Sequence, residues 1–173
     1  IKSEDVDSLY QKHKNASFLK KGDPFKSENF DLERDRLINL FRNNGVFYIQ
    51  QSDINYTIDT VNTSNKTNVE LVIKEENLRE GDSTFTRTFN IYKISSVNIY
   101  TDYPEKSATK EPQDSVTYNN FNLYSYKKIK YRPKAITDAV FITPGFVYAD
   151  FLTNLTRRSL SNLKVFNAPS IQY

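Results

Sequence analysis

Residues 22–41 read GDPFKSENFDLERDRLINLF, and residues 145–163 read GFVYADFLTNLTRRSLSNL. The 123-residue step that carries Gly22 onto Gly145 also carries Phe25 onto Tyr148, Leu32 onto Leu155, Arg34 onto Arg157, Leu37 onto Leu160 and Leu40 onto Leu163, without a gap. Helical periodicity explains the Leu matches, since every amphipathic helix spaces apolar residues this way. It does not explain the Gly, aromatic and Arg matches. Past the helix the step shortens to 117, where Ile54-Asn55-Tyr56 meets Ile171-Gln172-Tyr173. The spacing predicts two copies of one helix-turn-helix-strand unit.

Outward from these stretches the pattern is legible in both directions. Ser3 followed by Glu4 and Asp5 reads as an N-cap with acids in the first turn, and Val6, Leu9, Tyr10 and His13 give a short apolar face. Lys21-Gly22-Asp23-Pro24 is a turn, and a second helix begins between Ser27 and Asp31 and ends at Asn44-Gly45. From Val46 the period becomes two, with Ile54, Tyr56, Ile58 and then Val69, Leu71, Ile73 flanking the polar turn 62–65, which predicts a hairpin packed on the two helices. Residues 78–84, with Gly81, read as a linker. Phe89, Ile91, Val97 and Ile99 read as one long strand, bulged near 93–96. The tract 102–114, polar and holding Pro104 and Pro112, is expected to be an exposed, mobile loop, and the Tyr-rich stretch 116–131 an irregular strand or hairpin. Pro133 suits a first helical turn, 150–164 a helix, and 166–173 a final strand.

Composition removes several function classes. The 173 residues hold no Cys and one His, so thiolate chemistry, disulfides and a His-rich metal site are excluded, and a Ser/His/Asp triad would depend on His13 alone. No cofactor and no enzymatic activity are expected. The net charge of +3 is spread along the chain, so no nucleic-acid partner is expected, and no apolar run approaches the ~18 residues that span a bilayer. With 38% hydrophobic residues, 12 Tyr and 12 Phe, the chain reads as folded and soluble.

The residues resemble the polypeptide-transport-associated (POTRA) domains that precede the barrel of BamA/TamA-type outer-membrane assembly proteins. The resemblance is carried by Leu19-Lys20-Lys21-Gly22-Asp23-Pro24-Phe25, Leu32-Glu33-Arg34-Asp35-Arg36-Leu37 and Leu40 to Tyr48. In the second half it is carried by Tyr131-Arg132-Pro133, Thr143 to Tyr148 and Leu160 to Phe166. The wording is closest to TamA-like proteins of the Bacteroidota. Such domains run strand, helix, helix, strand, strand, so the resemblance implies an α+β fold of tandem POTRA-like units, each with two helices on a small three-stranded mixed sheet. Residues 1–77 would be a unit lacking its first strand, 78–85 a linker, and 86–173 a unit with an insertion at 102–131 and lacking its last strand. It further implies a periplasmic scaffold or receptor, the soluble part of an outer-membrane protein whose full length carries a membrane barrel. Unfolded outer-membrane proteins and a TamB-like or other assembly partner would be its ligands. The second strand of each unit is the edge that would accept an added strand, which singles out Ile54, Tyr56 and Ile58, with Ile171 and Tyr173 in the second copy.

Other candidate sites are weaker. His13 reads as a core neighbour. Glu75-Glu76 and Glu80-x-Asp82 lack the alternating ladder of a calcium loop and read as solvated charge. Arg34 and Arg157 read as tethers whose stems cover core. Tyr118, Phe121, Tyr124, Tyr126 and Tyr131 are explained by alternation in a half-buried strand, and the alternative function is a surface adhesin or glycan-binding module built on that stretch. The tripeptides starting at Asp7, Asp59, Asp82 and Asp114 match a pattern of O-glycosylated exported Bacteroidota proteins, in keeping with an extracytoplasmic location.

Overall fold

The computed structural model describes residues 1–61, 66–102, 111–166 and 168–173. The fold is mixed α+β, with four α-helices and small sheets of two and three strands among the described residues. The chain divides into two compact units, Ile1–Tyr92 and Lys93–Tyr173.

In the first unit α1 (Glu4–His13) starts where the Ser3 side chain accepts the Val6 N–H, and α2 (Ser27–Arg42) stops where Gly45, at φ +98°, lets the Val46 N–H reach back to the Phe41 carbonyl. Val6, Leu37 and Phe41 from the helices meet Val46, Ile49, Ile54, Ile73 and Phe89 in one buried cluster. Each such side chain contributes about 1.5–3 kcal/mol when fully buried. The strands β1 (Ile54–Asp59) and β2 (Asn68–Ile73) pair antiparallel from Ile54↔Ile73 to Asp59↔Asn68. A second hairpin follows, β3 (Glu76–Glu80) with β4 (Ser83–Arg87).

In the second unit β5 (Val97–Tyr100), β6 (Asp114–Tyr118) and β7 (Phe121–Ser125) form a mixed sheet in the order β5-β7-β6, with β5 parallel and β6 antiparallel to β7. Asn119 and Asn120, at φ +49° and +66°, make the two-residue turn whose twist suits a hairpin. The short α3 (Pro133–Thr137) and the longer α4 (Asp150–Asn162) contribute Ile136, Leu152 and Leu160 to a core with Phe121, Leu123, Val97 and Ile99.

The two units share one hydrogen-bonded element at the 123-residue step. The turn before the long helix closes from Asp23 N–H to the Lys20 carbonyl and from Phe146 N–H to the Thr143 carbonyl, each at 3.2 Å. Gly22 and Gly145 supply the positive φ, +94° and +85°, of a type II turn. No atom lies within 4 Å of where a Cβ would stand at either glycine, so conformation rather than space calls for glycine there. Ahead of the turn, Ser17 N–H bonds the Lys14 carbonyl and Val140 N–H the Thr137 carbonyl. On the long helix, Arg34 reaches Asp31 and Arg157 reaches Asn154. Most telling, Phe18 N–H donates to the buried Glu33 carboxylate at 2.9 Å, and Phe141 N–H donates to the buried Thr156 hydroxyl at 3.0 Å.

Several expectations are corrected. Residues 78–85 are not a linker but most of the β3–β4 hairpin, whose backbone polar groups pair with each other; the units divide after Tyr92. Among the described residues, the first unit holds two two-stranded hairpins in place of a three-stranded sheet. The long strand at 89–99 shrinks to Val97–Tyr100, because the preceding backbone is held elsewhere: Ser3 donates to the Phe89 carbonyl, Ile91 N–H to Asp5, Tyr92 N–H to Gly45 and Ile94 N–H to Phe146. Residues 102–131 are not an insertion, since β7 is the central strand of its sheet. Of the tract expected to be mobile, 103–110 lie outside the described residues; at its ends Asp102 accepts from Ser125 and from Tyr126 N–H, and Asp114 accepts from Ile129 N–H. No strand forms at 166 or 168–173. Of the Leu residues matched at the 123-residue step, Leu32 and Leu155 are 48% and 40% exposed and Leu163 is 37% exposed; the buried positions of α2 are Phe30, Glu33, Leu37 and Phe41, the first three matched in α4 by Thr153, Thr156 and the half-buried Leu160.

Glu33 also takes a two-pronged ion pair from Arg36, at 2.9 and 2.7 Å. Burial favours its neutral form, but the Arg36 fork, the Phe18 N–H and Ser17 together hold its carboxyl below the ordinary range. A lowered folded-state value means this stabilisation is present above the unfolded carboxylate pKa of about 4.3 and is lost as pH falls through the folded value. Glu33→Ala should cost about 3 kcal/mol at neutral pH, because it strands both the N–H and the guanidinium. Thr156→Val should cost about 1–3 kcal/mol. In urea titrations across pH, Glu33→Gln should flatten the acid limb of the wild-type curve and Thr156→Val should leave its slope unchanged.

Candidate functional site

The residues expected to form an accepting edge lie on β1. Lys74 N–H donates to the Asp53 carbonyl at 3.0 Å immediately ahead of the ladder, which sets its phase. Antiparallel pairs alternate, so Asn55, Thr57 and Asp59 turn their main-chain groups toward β2, while Ile54, Tyr56 and Ile58 turn theirs to the outer edge. The Arg34 Nε confirms this phase by donating to the Ile54 carbonyl at 3.1 Å from the side of α2. Arg34 therefore stops the edge at Ile54. Beyond it, the main-chain N–H and C=O of Tyr56 and Ile58 have no partner outside the hairpin among the described residues.

Side chains on the same edge run from buried to open. Ile54 belongs to the core, Tyr56 is half-buried against Phe30 in an edge-to-face contact, and Ile58 is exposed opposite the exposed Val69. Phe25 continues the aromatic row, 5.2 Å from Phe30. The Arg34 guanidinium lies 5.6 Å from the Tyr56 ring centre, a cation–π distance. An edge with an apolar flank and a cation at one end can take an extended segment, its main chain in the ladder and alternate side chains on the Phe25–Ile58 flank.

Ile171 and Tyr173 occupy the corresponding places beside α4 without forming a strand. Ile171 packs on the second core, as Ile54 does on the first. Tyr173 meets Tyr148 edge-to-face and shares a hydrogen bond with Thr153, the counterpart of Phe30. Among the described residues Tyr56 has no such partner, and its buried hydroxyl makes no hydrogen bond to them. Burial raises the pKa of both phenols; the Thr153 hydroxyl partly offsets the shift for Tyr173. Beside Tyr173 an apolar cleft of about 240 Å³ opens between Ile94, Phe141, Phe146, Val147 and Leu152.

The remaining candidates are dispersed. His13 ends α1, and its carbonyl accepts from Arg36. Glu75 lies 3.9 Å from the Lys2 ammonium, and among the described residues no three His, Cys, Asp or Glu side chains converge as metal ligands. Among the described residues no helix is long and apolar enough to cross a membrane. Of the Tyr-rich stretch, Phe121 and Tyr131 face the second core, whereas Tyr124 and Tyr126 stack with Tyr100, a residue that the sequence pattern did not mark. A signal was present: Tyr100 alternates with Ile99 at the end of a short apolar strand, the position of an outward ring.

No protein-family model matches the chain, and no curated protein or solved structure is significantly similar to it. The likeness to POTRA domains thus rests on the residues that carry it.

The two tyrosines make a paired test of the shared element. Tyr56→Phe removes a buried hydroxyl that lacks a partner, so stability should hold or rise by up to about 1 kcal/mol; Tyr173→Phe breaks a bond and should cost about 1 kcal/mol. Chemical denaturation of both variants checks the contrast, and equal effects would contradict it.

Proposed function

We propose that this chain is a non-catalytic periplasmic scaffold that receives extended polypeptide, in particular unfolded outer-membrane proteins, by strand addition along β1. The observation that carries this reading is the outer edge of β1, where Tyr56 and Ile58 offer main-chain donors and acceptors beyond the point closed by Arg34. Main-chain pairing tolerates many sequences, which suits a receptor for varied unfolded clients. Sequence-tolerant capture needs no nucleophile or metal, and the chemistry-poor composition accords with that.

The POTRA-like residues support the same reading. Each unit builds the helix-to-helix turn on Gly22 or Gly145, and the first unit follows its helices with a strand, as that family does. In this reading the chain belongs to an outer-membrane protein whose barrel lies elsewhere in the full-length sequence, and a TamB-like partner takes the client onward. The second-copy residues Ile171 and Tyr173 are a subsidiary contact, because their segment is not a strand.

The phase of the ladder chooses the test. Ile58→Pro removes an outward donor and leaves the β2 ladder intact, so the fold should lose less than about 1 kcal/mol, as expected for proline on an open edge. Thr57→Pro deletes a ladder bond and should unfold the hairpin. With a fluorescent peptide from an unfolded outer-membrane protein, Ile58→Pro should weaken binding at least tenfold while circular dichroism stays native-like. Unchanged affinity in a folded Ile58→Pro variant would remove β1 as the receptor.

A further inference from the structure

The β5-β7-β6 sheet has two unlike faces. Phe121, Leu123, Val97, Ile99 and Val116 point into the second core, so the fold is secured from one side. The other face carries two parallel rows. Tyr100 and Tyr124 stand opposite each other at 5.2 Å with ring planes 24° apart, and Tyr126 extends the stack at 6.1 Å and 27°. Beside them Asn122 donates to Asn98 at 3.0 Å, and Thr117 donates to Asn122 at 3.2 Å. Asn98, Tyr100, Ser115 and Thr117 are exposed.

We propose that this face binds a neutral glycan, its sugar rings lying on the tyrosine stack and its hydroxyls on the Asn98–Asn122–Thr117 row. Three properties select that ligand. The second core is built from the inner face, and Tyr100, Tyr124 and Tyr126 are not among its members. The six outward strand residues, Asn98, Tyr100, Ser115, Thr117, Asn122 and Tyr124, include no Asp, Glu, Lys, Arg or His, although 26% of the chain is charged, so the face complements an uncharged ligand. Finally, amides and hydroxyls offer donors and acceptors together, which matches sugar hydroxyls; a phosphate would require donors alone. After its bond to Asn122, Asn98 retains an NH₂ group with no hydrogen-bond partner among the described residues, and Thr117 retains acceptor lone pairs.

The site is separate from the β1 edge, so each can fail alone. Affinity electrophoresis of the whole chain through gels holding β-glucan, xylan or mannan measures it, with a labelled oligothymidine as a parallel arm. Retardation by at least one polysaccharide is expected, reduced at least tenfold in affinity by Tyr124→Ala or Tyr100→Ala and less by Asn98→Ala, with circular dichroism and β1 peptide binding unchanged. No retardation by any of the three polymers, or retardation that survives both tyrosine substitutions, overturns the proposal. Binding of oligothymidine without polysaccharide overturns it in favour of single-stranded nucleic acid, with Lys127 and Lys128 beside Tyr126 as the cationic contribution.

Discussion

A backbone N–H just ahead of a tight turn, caught by a buried side chain in the second turn of the following helix, is the constraint on which both halves of this protein depend. The chain entering the turn must leave its helix, and an amide left unpaired there beside a buried polar side chain would cost more than a typical hydrogen bond returns. Glu33 and Thr156 solve that problem at the same place with different chemistry. The carboxylate brings a second obligation, met by Arg36, and Arg36 in turn reaches the carbonyl that ends α1. The hydroxyl needs no counter-ion. Once the turn is fixed, Arg34 reaches the first residue of β1, so the position of the strand edge follows from that of the helix.

The helices were legible because their signals are local. Ser3, Gly22, Gly45 and Pro133 act on the residues next to them, and α1, α2 and α4 begin within a residue or two of where the pattern placed them. The β1–β2 hairpin followed from alternation. The β3–β4 hairpin was missed because a polar run around Gly81 serves equally as linker or as a hairpin, and only pairing distinguishes them. The long strand through Phe89 failed for the opposite reason: its alternation is genuine, yet Ser3, Asp5 and Gly45, distant in sequence, claim its backbone.

The edge site was half legible. Alternation placed Ile54, Tyr56 and Ile58 on one face, but ladder phase is a tertiary property, set by a bond between Asp53 and Lys74 that no local pattern reveals. The repeat was read from Gly, aromatic and Arg matches beside a Leu spacing that all amphipathic helices share, and Leu32 and Leu155 are its least informative members, since both are exposed. The positions that matter, 33 and 156, differ in residue type and agree only in what they do. Identity of type and identity of role thus separate within a single chain, and the second is visible only in hydrogen bonds.

The span of those bonds bears on the order of folding. Phe18 and Glu33, like Phe141 and Thr156, lie 15 positions apart, so either element can close on its own at little loop entropy. The β5–β7 sheet joins residues 24 apart and must bring a parallel strand back across the intervening chain. Local contacts of this kind favour early, fast events, and non-local pairing favours late ones. A chain leaving the ribosome would therefore complete its first helical hairpin before its first β-hairpin is finished. In the second half the sheet is synthesised first, but its inner face is covered only as Ile136, Val140 and Ile142 and then Leu152 and Leu160 of α4 arrive.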